Sequence, residues 1–377
     1  MAKLKDIGVI ITGNTPKTSD PKNYETTDIP FIKPSDISDD AISYLHNSEF
    51  YISEYAREKS RIVPVDSILF TCIGIIGKIA VNKVECAFNQ QINAIIPDKS
   101  KCLTDYLVYA LQSKKRLLQE TANAPVVPIL NKTQFSEIEI ELPSLEQQEK
   151  ISVQLNKIND LISQRNLQLS KLDELVKSRF VELFEKEKYK KVTVSAVLNT
   201  AFWLMPATPE FIVDGEVPYI TSKNIKNRTI DFDNVKYISR EAYKSISANR
   251  PTQKGDILIS MIGTLGQTAV IQDDREFYGQ NLYLLRLNNS IVNTTYFCEF
   301  FNSDTAQYKL QGKRNQSTQA YLKANHVEDL LLPLPPMELQ NQFAAFVEQT
   351  DKSKLAVQQS LEKLEALKKS LMQQYFG

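Results

Sequence analysis

The chain has 377 residues, which is too long for one ordinary hydrophobic core and fits two domains of typical size. Hydrophobic residues make up 42%, charged residues 24%, and the formal net charge is +0, which excludes wholesale disorder and argues against indiscriminate nucleic-acid binding. No apolar stretch is long enough to span a membrane, and the four cysteines form no C-x-x-C pair. We therefore expect a cytoplasmic protein without a membrane contact.

Residues that commonly carry catalysis or bind metals are scarce. The two histidines, His46 and His326, are far apart in the chain, and neither lies in a recognisable catalytic motif. A zinc site needs several ligands at close spacing, and the sequence has no such cluster. No G-x-G occurs, so no glycine-rich cofactor loop is recognisable. The sequence predicts no catalytic residue, no metal site and no cofactor site in this chain.

The second half of the chain repeats the first half. Residues 67–81 (SILFTCIGIIGKIAV) match residues 256–270 (DILISMIGTLGQTAV), which lie 189 positions later. Residues 142–184 match residues 334–376 at a constant offset of 192 positions. This period is close to half the chain length, so the sequence indicates a tandem duplication of a domain followed by a helix.

Each copy begins with a segment rich in glycine, β-branched and aromatic residues, which favour strands and turns. Helical spacing of apolar residues predicts one clear helix in each copy, at residues 104–119 and 294–309. We expect α+β domains built on a mostly antiparallel sheet. The predicted strands lie at residues 7–11, 67–71, 78–81, 91–96, 257–261, 268–271 and 282–287.

Each copy ends in a segment of about 40 residues that follows a proline step and holds almost no Gly or Pro, which predicts a long helix. Apolar residues alternate at spacings of four and three, the pattern of a coiled-coil seam. Polar residues interrupt each seam where the other copy is apolar, so we expect the helices to pair as an antiparallel coiled coil. The assigned seam positions are Leu155, Ile158, Ile162, Leu169, Leu172, Val176, Val347, Val357, Leu361, Leu364 and Leu371.

The alternation of strand-rich segments and long helical segments predicts four parts of the chain. They are a first domain at 1–142, a central spacer helix at 143–190, a second domain at 191–333 and a C-terminal spacer helix at 334–377. The helices have nearly balanced charges, so they are not basic arms for binding phosphate.

Polar and basic side chains in or beside turns are candidates for DNA contacts, because Gln and Asn can read adenine while Arg and Lys read guanine or hold phosphate. The plain alternative is that they belong to ordinary solvated loops. The strongest segment lies at 312–319, because it has neither an apolar side chain nor an acid. The candidates are Thr15, Lys17, Lys33, Ser35, Lys78, Gln90 and Gln91 in the first domain, and Thr221, Ser222, Lys223, Asn224, Gln280, Asn281, Lys313, Arg314, Asn315, Gln316, Ser317 and Thr318 in the second.

Several motifs occur once in each copy. They are IPFI at 29–32 and VPYI at 217–220, the two matching blocks at 67–81 and 256–270, and the helix starts Leu142-Pro-Ser-Leu-Glu-Gln-Gln148 and Leu334-Pro-Pro-Met-Glu-Leu-Gln340. Together these motifs resemble those of the specificity subunit of type I restriction–modification systems. The resemblance covers essentially the whole chain. One motif departs: Gly13-Asn-Thr-Pro16 matches the G-x-T-P loop of the family, but the second copy has Ala201-Phe-Trp-Leu-Met-Pro-Ala-Thr-Pro209 instead. We expect the opening loop of the second domain to differ in shape or role.

The resemblance implies a non-catalytic subunit with two target-recognition domains, which reads a bipartite, asymmetric sequence in double-stranded DNA. The long helices would set the spacing between the half-sites and bind partners. Those partners would be two methyltransferase subunits and, in the full complex, restriction subunits that act as motor and nuclease. S-adenosylmethionine, ATP and Mg would be bound in those subunits and not in this chain.

Two other functions remain open at this point. A single-chain DNA methyltransferase or nuclease would need a catalytic turn with a cofactor loop, or clustered carboxylates, and the sequence shows neither. A protein–protein scaffold that uses its coiled-coil helices, without DNA, is the main alternative.

Overall fold

The structure is a computed structural model that describes residues 1–39, 41–121, 128–187, 189–226, 228–263, 265–312 and 321–377. The chain forms two compact units. The first contains Met1–Asn166 and Ser360–Gly377, and the second contains Leu167–Gln359. Each unit therefore holds one globular domain together with a part of each long helix.

The first half of the chain contains eleven strands and four α-helices within the described residues. The strands are β1 (Ala2–Lys3), β2 (Gly8–Thr12), β3 (Ile29–Ile32), β4 (Ser43–Leu45), β5 (Tyr51–Ile52), β6 (Ile62–Val63), β7 (Ile68–Thr71), β8 (Ile79–Asn82), β9 (Cys86–Phe88), β10 (Ile92–Pro97) and β11 (Glu139–Ile140). The helices are α1 (Leu4–Ile7), α2 (Thr104–Thr121), α3 (Lys132–Ser136) and α4 (Leu145–Phe180), and α4 continues into a π-helical turn at Val181–Glu185.

The second half contains the corresponding elements. Its strands are β12 (Lys191–Thr193), β13 (Leu198–Leu204), β14 (Val217–Ile220), β15 (Ile225–Lys226), β16 (Thr229–Ile230), β17 (Lys236–Ile238), β18 (Ile257–Ser260), β19 (Thr268–Val270), β20 (Tyr278–Gly279), β21 (Leu282–Leu287) and β22 (Leu331–Pro333). Its helices are α5 (Arg240–Ser247), α6 (Thr294–Asn302), α7 (Asp304–Gly312), α8 (Ala324–Glu328) and α9 (Met337–Phe376).

The central sheet of the first unit has five strands in the order β2-β10-β7-β8-β4, and it is antiparallel except for the β4–β8 pair. A second sheet has the order β5-β3-β9-β6, with β3 and β9 parallel. The strand β1 pairs with β11, so the beginning of the domain is tied to its end. The predicted strands of this domain are confirmed to within about a residue.

The second unit repeats this plan with a central antiparallel sheet in the order β13-β21-β18-β19. A smaller sheet has the order β17-β14-β20, with β14 and β20 parallel, as in the pair β3–β9 of the first unit. The strand β12 pairs with β22 and ties the two ends of this domain together. The prediction of duplicated α+β domains with mostly antiparallel sheets is confirmed.

An inner strand of each main sheet, β7 in the first unit and β18 in the second, is covered on both faces. Ile68 and Phe70 of β7 pack into the core that contains α2, whereas Leu69 packs into a core on the opposite face. In β18, Ile257 and Leu258 divide in the same way between two cores. Successive side chains of a strand point to opposite faces, so a strand buried on both faces must be apolar throughout. This explains the uninterrupted apolar runs in the duplicated blocks.

The glycines in these blocks form tight turns between strands. Gly74 and Gly77 connect β7 to β8 with φ of +78° and +92°, and Gly263 and Gly266 lie between β18 and β19 with φ of +84° and +75°. This left-handed backbone conformation favours glycine because it has no Cβ.

The predicted domain helices differ between the copies. The first is continuous as α2, but the second breaks at Ser303 into α6 and α7. Ser303 has extended backbone angles, and its Oγ accepts a hydrogen bond from the N–H of Ala306 at 3.3 Å. The corresponding Ser113 lies inside α2 and donates to the carbonyl of Ala110. The prediction of one continuous helix over 294–309 was therefore wrong, because Ser303 caps a new helix.

The long helices begin with equivalent hydrogen bonds. Ser144 caps α4, since its Oγ accepts from the N–H of Gln147 at 3.3 Å. The fully buried Gln148 then donates to the carbonyls of Lys101 and Pro143, and its Oε1 accepts from the N–H of Leu103 at 2.9 Å.

In the second copy, the buried Gln340 near the start of α9 makes the same set of bonds. It donates to the carbonyls of Ile291 and Pro335 and accepts from the N–H of Asn293 at 2.9 Å. The glutamine that ends each Leu-Pro helix-start motif therefore joins a long helix to another segment of the same half. This segment precedes α2 in the first half and α6 in the second.

The long helices run antiparallel in each unit. In the first unit, the hydroxyl of Tyr375 in α9 donates to Oε1 of Gln154 in α4 at 2.7 Å. In the second unit, Nζ of Lys354 in α9 lies 2.7 Å from Oδ1 of Asp173 in α4. Early residues of α4 meet late residues of α9, so the predicted antiparallel pairing is confirmed.

The assigned seam positions lie on the inner faces of these helices. Those that are buried are Leu155, Ile158, Val176, Val347, Val357 and Leu361. Those that are half-buried are Ile162, Leu169, Leu172, Leu364 and Leu371.

Candidate DNA interface

In the first unit, the strand pairing brings several candidate loops to one end of the central sheet. Thr71 at the end of β7 is paired with Ile92 at the start of β10, and Asn93 is paired with Thr12 at the end of β2. The loop after β2, the turn between β7 and β8 and the connection before β10 therefore leave the sheet side by side. The candidates that these segments carry are Thr15, Lys17, Lys78, Gln90 and Gln91.

Two of these candidates, from different loops, are in direct contact. The hydroxyl of Thr15 donates to Oε1 of Gln90 at 2.7 Å, and both side chains are exposed. Gly13 makes this approach possible, because a Cβ at that position would lie 2.2 Å from the carbonyl oxygen of Asn89. The amide nitrogen of Gln90 keeps its two N–H donors for another partner.

Lys33 and Ser35 belong to a turn at residues 33–36, in which the N–H of Lys33 donates to Oδ2 of Asp36 at 2.8 Å. Lys78 binds this turn to the sheet end, since its Nζ donates to the carbonyls of Pro34 at 3.2 Å and Ile37 at 3.0 Å. Ser35 is exposed, whereas Lys78 is half-buried. The structure therefore brings all candidates of the first domain to one region.

The remaining candidates of this region differ in their exposure and in the contacts that they make. Lys17 is exposed, and its carbonyl accepts a hydrogen bond from the side chain of Asn23. Gln91 is half-buried, and its Oε1 accepts from Nδ2 of Asn89 at 2.9 Å. Lys33 lies over an aromatic ring, with its Nζ 3.0 Å from the ring centroid of Phe50.

The second unit has the same arrangement. Leu282 at the start of β21 is paired both with Leu204 at the end of β13 and with Ser260 at the end of β18. The loop after β13, the turn after β18 and the candidates Gln280 and Asn281 therefore meet at one end of this sheet.

A second Thr–Gln contact occurs at this end. The hydroxyl of Thr208 lies 3.5 Å from Oε1 of Gln280, and the hydroxyl of Tyr219 lies 3.4 Å from the same oxygen. The hydroxyl of Tyr219 is protonated at neutral pH and can donate, and burial raises its pKa further, to about 12. Thr208 belongs to the Thr-Pro pair that the second copy retains. The opening loop of this domain differs in sequence but keeps the contact.

The candidates Thr221, Ser222, Lys223 and Asn224 form a turn at residues 221–224, in which the N–H of Thr221 donates to Oδ1 of Asn224 at 2.9 Å. This turn corresponds to residues 33–36 of the first domain. A Cβ at Gly263 would lie 3.4 Å from Oγ of Ser222, which places the turn against the glycine turn after β18.

One group of candidates lies outside the described residues. It comprises Lys313, Arg314, Asn315, Gln316, Ser317 and Thr318. Their part in DNA binding stays a prediction. The adjacent Tyr321 forms a bridge with Ile262, so the chain re-enters the described structure beside the turn after β18.

Aromatic rings beneath exposed cations were missed by the sequence reasoning. Nζ of Lys59 lies 3.7 Å from the ring centroid of Tyr55, and Nζ of Lys236 lies 4.3 Å from that of Phe211. Lys236 and Phe211 are far apart in the sequence, so no spacing could reveal that cation–π pair. Tyr55 and Lys59 lie four residues apart in one 3-10 helical segment, Glu54–Lys59, and that spacing could have revealed their contact. The contact of Thr208 could have been found from the retained Thr-Pro pair.

Outside this region, the described residues offer little that could support catalysis. His46 is exposed, and Nδ1 of His326 accepts the N–H of Lys323 at the start of α8. Within the described ranges, His, Cys, Asp and Glu side chains nowhere form a group of three that could hold a metal ion. The same ranges contain no helix with the length and apolar character needed to cross a membrane.

Comparisons with known proteins agree on one family. The pattern of the type I restriction modification DNA specificity domain matches residues 1–171 and 186–367. A type I restriction enzyme specificity subunit (MjaIX) of Methanocaldococcus jannaschii is 25% identical over 376 residues, covering 92% of this chain and 85% of that protein. The HindI specificity subunit of Haemophilus influenzae is 32% identical over 148 residues, covering 39% of this chain and 32% of that protein.

Solved structures have the same fold. The S subunit of a type I restriction–modification system from M. genitalium matches with a TM-score of 0.60 at 13% identity, covering 100% of this chain and 95% of that one. A chain from a study of complex assembly and conformational transition of the type I R-M system matches with a TM-score of 0.58 at 15% identity, covering 100% and 96%.

The chain is built from two equivalent domains, each with polar side chains at one end of its main sheet. The chain belongs to the type I restriction–modification DNA specificity family. It is a non-catalytic subunit that recognises a DNA target and works with the other subunits of such a system. The alternative of a scaffold without DNA has no support among these relatives.

Proposed function

We propose that the chain reads a bipartite, asymmetric target in double-stranded DNA, with one domain for each half of the target. The observation that carries this proposal is the convergence of polar loops at one end of the main sheet in both units, with an equivalent Thr–Gln contact in each. Around that shared contact the loops differ in sequence, so two different half-sites are expected.

The Thr–Gln contacts suggest how bases are read. Oε1 of Gln90 and Oε1 of Gln280 each accept from protein hydroxyls, which leaves the amide N–H groups as the outward donors. Amide donors suit acceptors in the major groove, such as N7 of a purine or O6 of guanine. Exposed lysines beside them, such as Lys17 and Lys223, are suited to contacts with phosphate.

We also propose that the partners are two methyltransferase subunits and, in the full complex, restriction subunits. The duplicated junctions around Gln148 and Gln340 support a pair of equivalent docking places for two copies of one partner. S-adenosylmethionine, ATP and Mg would then be bound by the partners. Calorimetry with S-adenosylmethionine on the pure chain tests this part, and a measurable heat of binding would contradict it.

We propose the cytoplasm as the compartment, in keeping with four buried cysteines that are not in disulfides.

The direct test of DNA recognition is a selection of bound duplexes from a random library, using the pure chain and, in parallel, its complex with methyltransferase subunits. The expected result is two short blocks of constrained sequence, different from each other and separated by an unconstrained spacer. Recovery of sequences without any constrained block would contradict DNA recognition by this chain. A single block would contradict the assignment of one half-site to each domain.

A further inference from the structure

The equivalent turns at residues 33–36 and 221–224, called here the recognition turns, are fixed to their domains by different cations. Both turns have the same internal hydrogen bond, from the first N–H to the side chain of the fourth residue. What differs is the group outside the turn that fixes it.

In the first domain, this group is Lys78. Its ammonium donates to two carbonyls, that of Pro34, which precedes the exposed Ser35, and that of Ile37, which follows the turn. Lys78 is half-buried and immediately precedes β8, and these two hydrogen bonds direct its charge toward backbone oxygen. The corresponding residue in the second domain is Gln267, which is exposed and has no ammonium group.

In the second domain, the recognition turn leads directly into the hairpin of β15 and β16. Asn224 joins the turn to this hairpin, because its Nδ2 donates to the carbonyl of Asp231 at 3.0 Å and its own carbonyl accepts from the N–H of Asp231 at 2.7 Å. The turn and the hairpin therefore form one continuous hydrogen-bonded segment.

Arg228 anchors this hairpin through an ion pair with a buried carboxylate, while the arginine itself is half-buried. Its Nη2 donates to Oε2 of Glu299 at 2.9 Å, and its Nη1 lies 2.5 Å from Oε1. Glu299 belongs to α6, and its side chain is only 4% exposed. Burial raises the pKa of Glu299, while the guanidinium of Arg228 opposes that rise.

The backbone at Arg228 supports an anchoring role. Its φ is +64°, a left-handed conformation that most side chains disfavour and that glycine or asparagine would accept more readily in a hairpin. This chain has an arginine at that position, and its guanidinium forms an ion pair with Glu299 of α6. Its backbone forms a parallel bridge to Ala269, as Ser43 does to Ala80 in the first domain, so the two segments are structurally equivalent.

We propose that Lys78 in the first domain and the Arg228–Glu299 pair in the second are positioning groups for the recognition turns. They determine base selectivity without touching DNA. This inference rests on the proposed function, and it assigns each group to the half-site read by its own domain.

The test uses the same random-library selection with variants of the full chain. Lys78→Gln introduces the residue found at the equivalent position of the second domain. Arg228→Met combined with Glu299→Met removes the ion pair without leaving a buried unpaired charge, a replacement that is often neutral for stability. Lys83→Gln, at the opposite end of β8, is the matched control, because Lys83 pairs with Asp66 away from the recognition turn.

Lys78→Gln should relax the preference in one block, with discrimination against single base changes there falling about tenfold. The Met–Met variant should relax the other block to a similar degree, and Lys83→Gln should leave both unchanged. The slope of affinity against salt should stay the same for Lys78→Gln, because loss of a phosphate contact would reduce it by about one.

Three results would overturn the inference. They are unchanged selectivity in both variants, relaxation of both blocks by either variant, and a reduced salt slope that marks Lys78 as a phosphate contact. Failure of the unmodified chain to select any sequence would instead contradict the proposed function, so the two failures are distinguishable.

Discussion

Two buried glutamines connect the long helices to the domains. Gln148 satisfies one N–H and two carbonyls at the start of α4, and Gln340 does the same at the start of α9. A buried amide that loses its partners leaves those groups unpaired, and the cost exceeds the net value of the bonds themselves. These positions therefore fix the direction in which each long helix leaves its domain.

Replacing Gln148 with Leu should lower the free energy of unfolding by about 1–3 kcal/mol, because Leu103 N–H and two carbonyls would lose their partner in a buried site. Gln147→Leu is the matched control at the neighbouring exposed position and should change it by less than about 0.5 kcal/mol. Denaturant unfolding followed by circular dichroism measures both. Equal losses in the two variants would contradict the role given to Gln148.

A second prediction at this scale concerns pH. Hydrogen bonds and charges from Lys3 and Lys5 lower the pKa of Glu137 from 4.5 to about 2. The ionised carboxylate therefore stabilises the fold above pH 4.5, and this contribution is lost as the pH falls through about 2. The melting temperature of Glu137→Gln should lie below that of the unmodified chain near neutral pH, and the difference should shrink on acidification. A difference that stays constant with pH would contradict this account.

Helices and strands can be predicted from local sequence more reliably than the breaks within them. The duplicated strands and the 4-3 seam could be predicted because burial imposes a period on many residues at once. The break at Ser303 could not, since the aligned Ser113 lies inside a continuous helix and both serines suit either environment. The recognition turns were located by composition, but the contacts of Lys78 and Arg228 depend on residues distant in sequence.

The break at Ser303 makes a prediction at the scale of the element. Ser303→Ala removes the oxygen that caps α7 and should lower the free energy of unfolding by about 0.5–2 kcal/mol. Ser113→Ala, at the equivalent position inside α2, should have no such cost, because alanine favours a helix interior. Parallel denaturant titrations of the two variants provide the measurement. A larger loss for Ser113→Ala than for Ser303→Ala would contradict the capping role.

For the whole molecule, we expect the long helices to set the length of the DNA spacer between the half-sites. Four residues inserted between Asn166 and Leu167 add about one turn, or roughly 6 Å, to α4. DNA rises about 3.4 Å per base pair, so the selected spacer should grow by one or two base pairs while both blocks keep their sequence. A coiled coil can absorb four extra residues by local unwinding.

The control for this experiment is the same insertion between Asp273 and Asp274, in an exposed loop of the second domain. It should leave the spacer unchanged. If the α4 insertion also leaves the spacer unchanged, or alters the bases of either block, the helices do not set the distance.

The central claim, that each domain reads its own half-site, is tested most directly by comparing Gln90→Ala with Gln280→Ala in the same library selection. The two glutamines occupy equivalent places, each held by a threonine hydroxyl at one end of a main sheet. Our account predicts that each substitution relaxes the base preference in one block, that the affected blocks are different, and that each lost contact costs about 1–3 kcal/mol of discrimination. Relaxation of the same block by both variants, or of neither block, would contradict it.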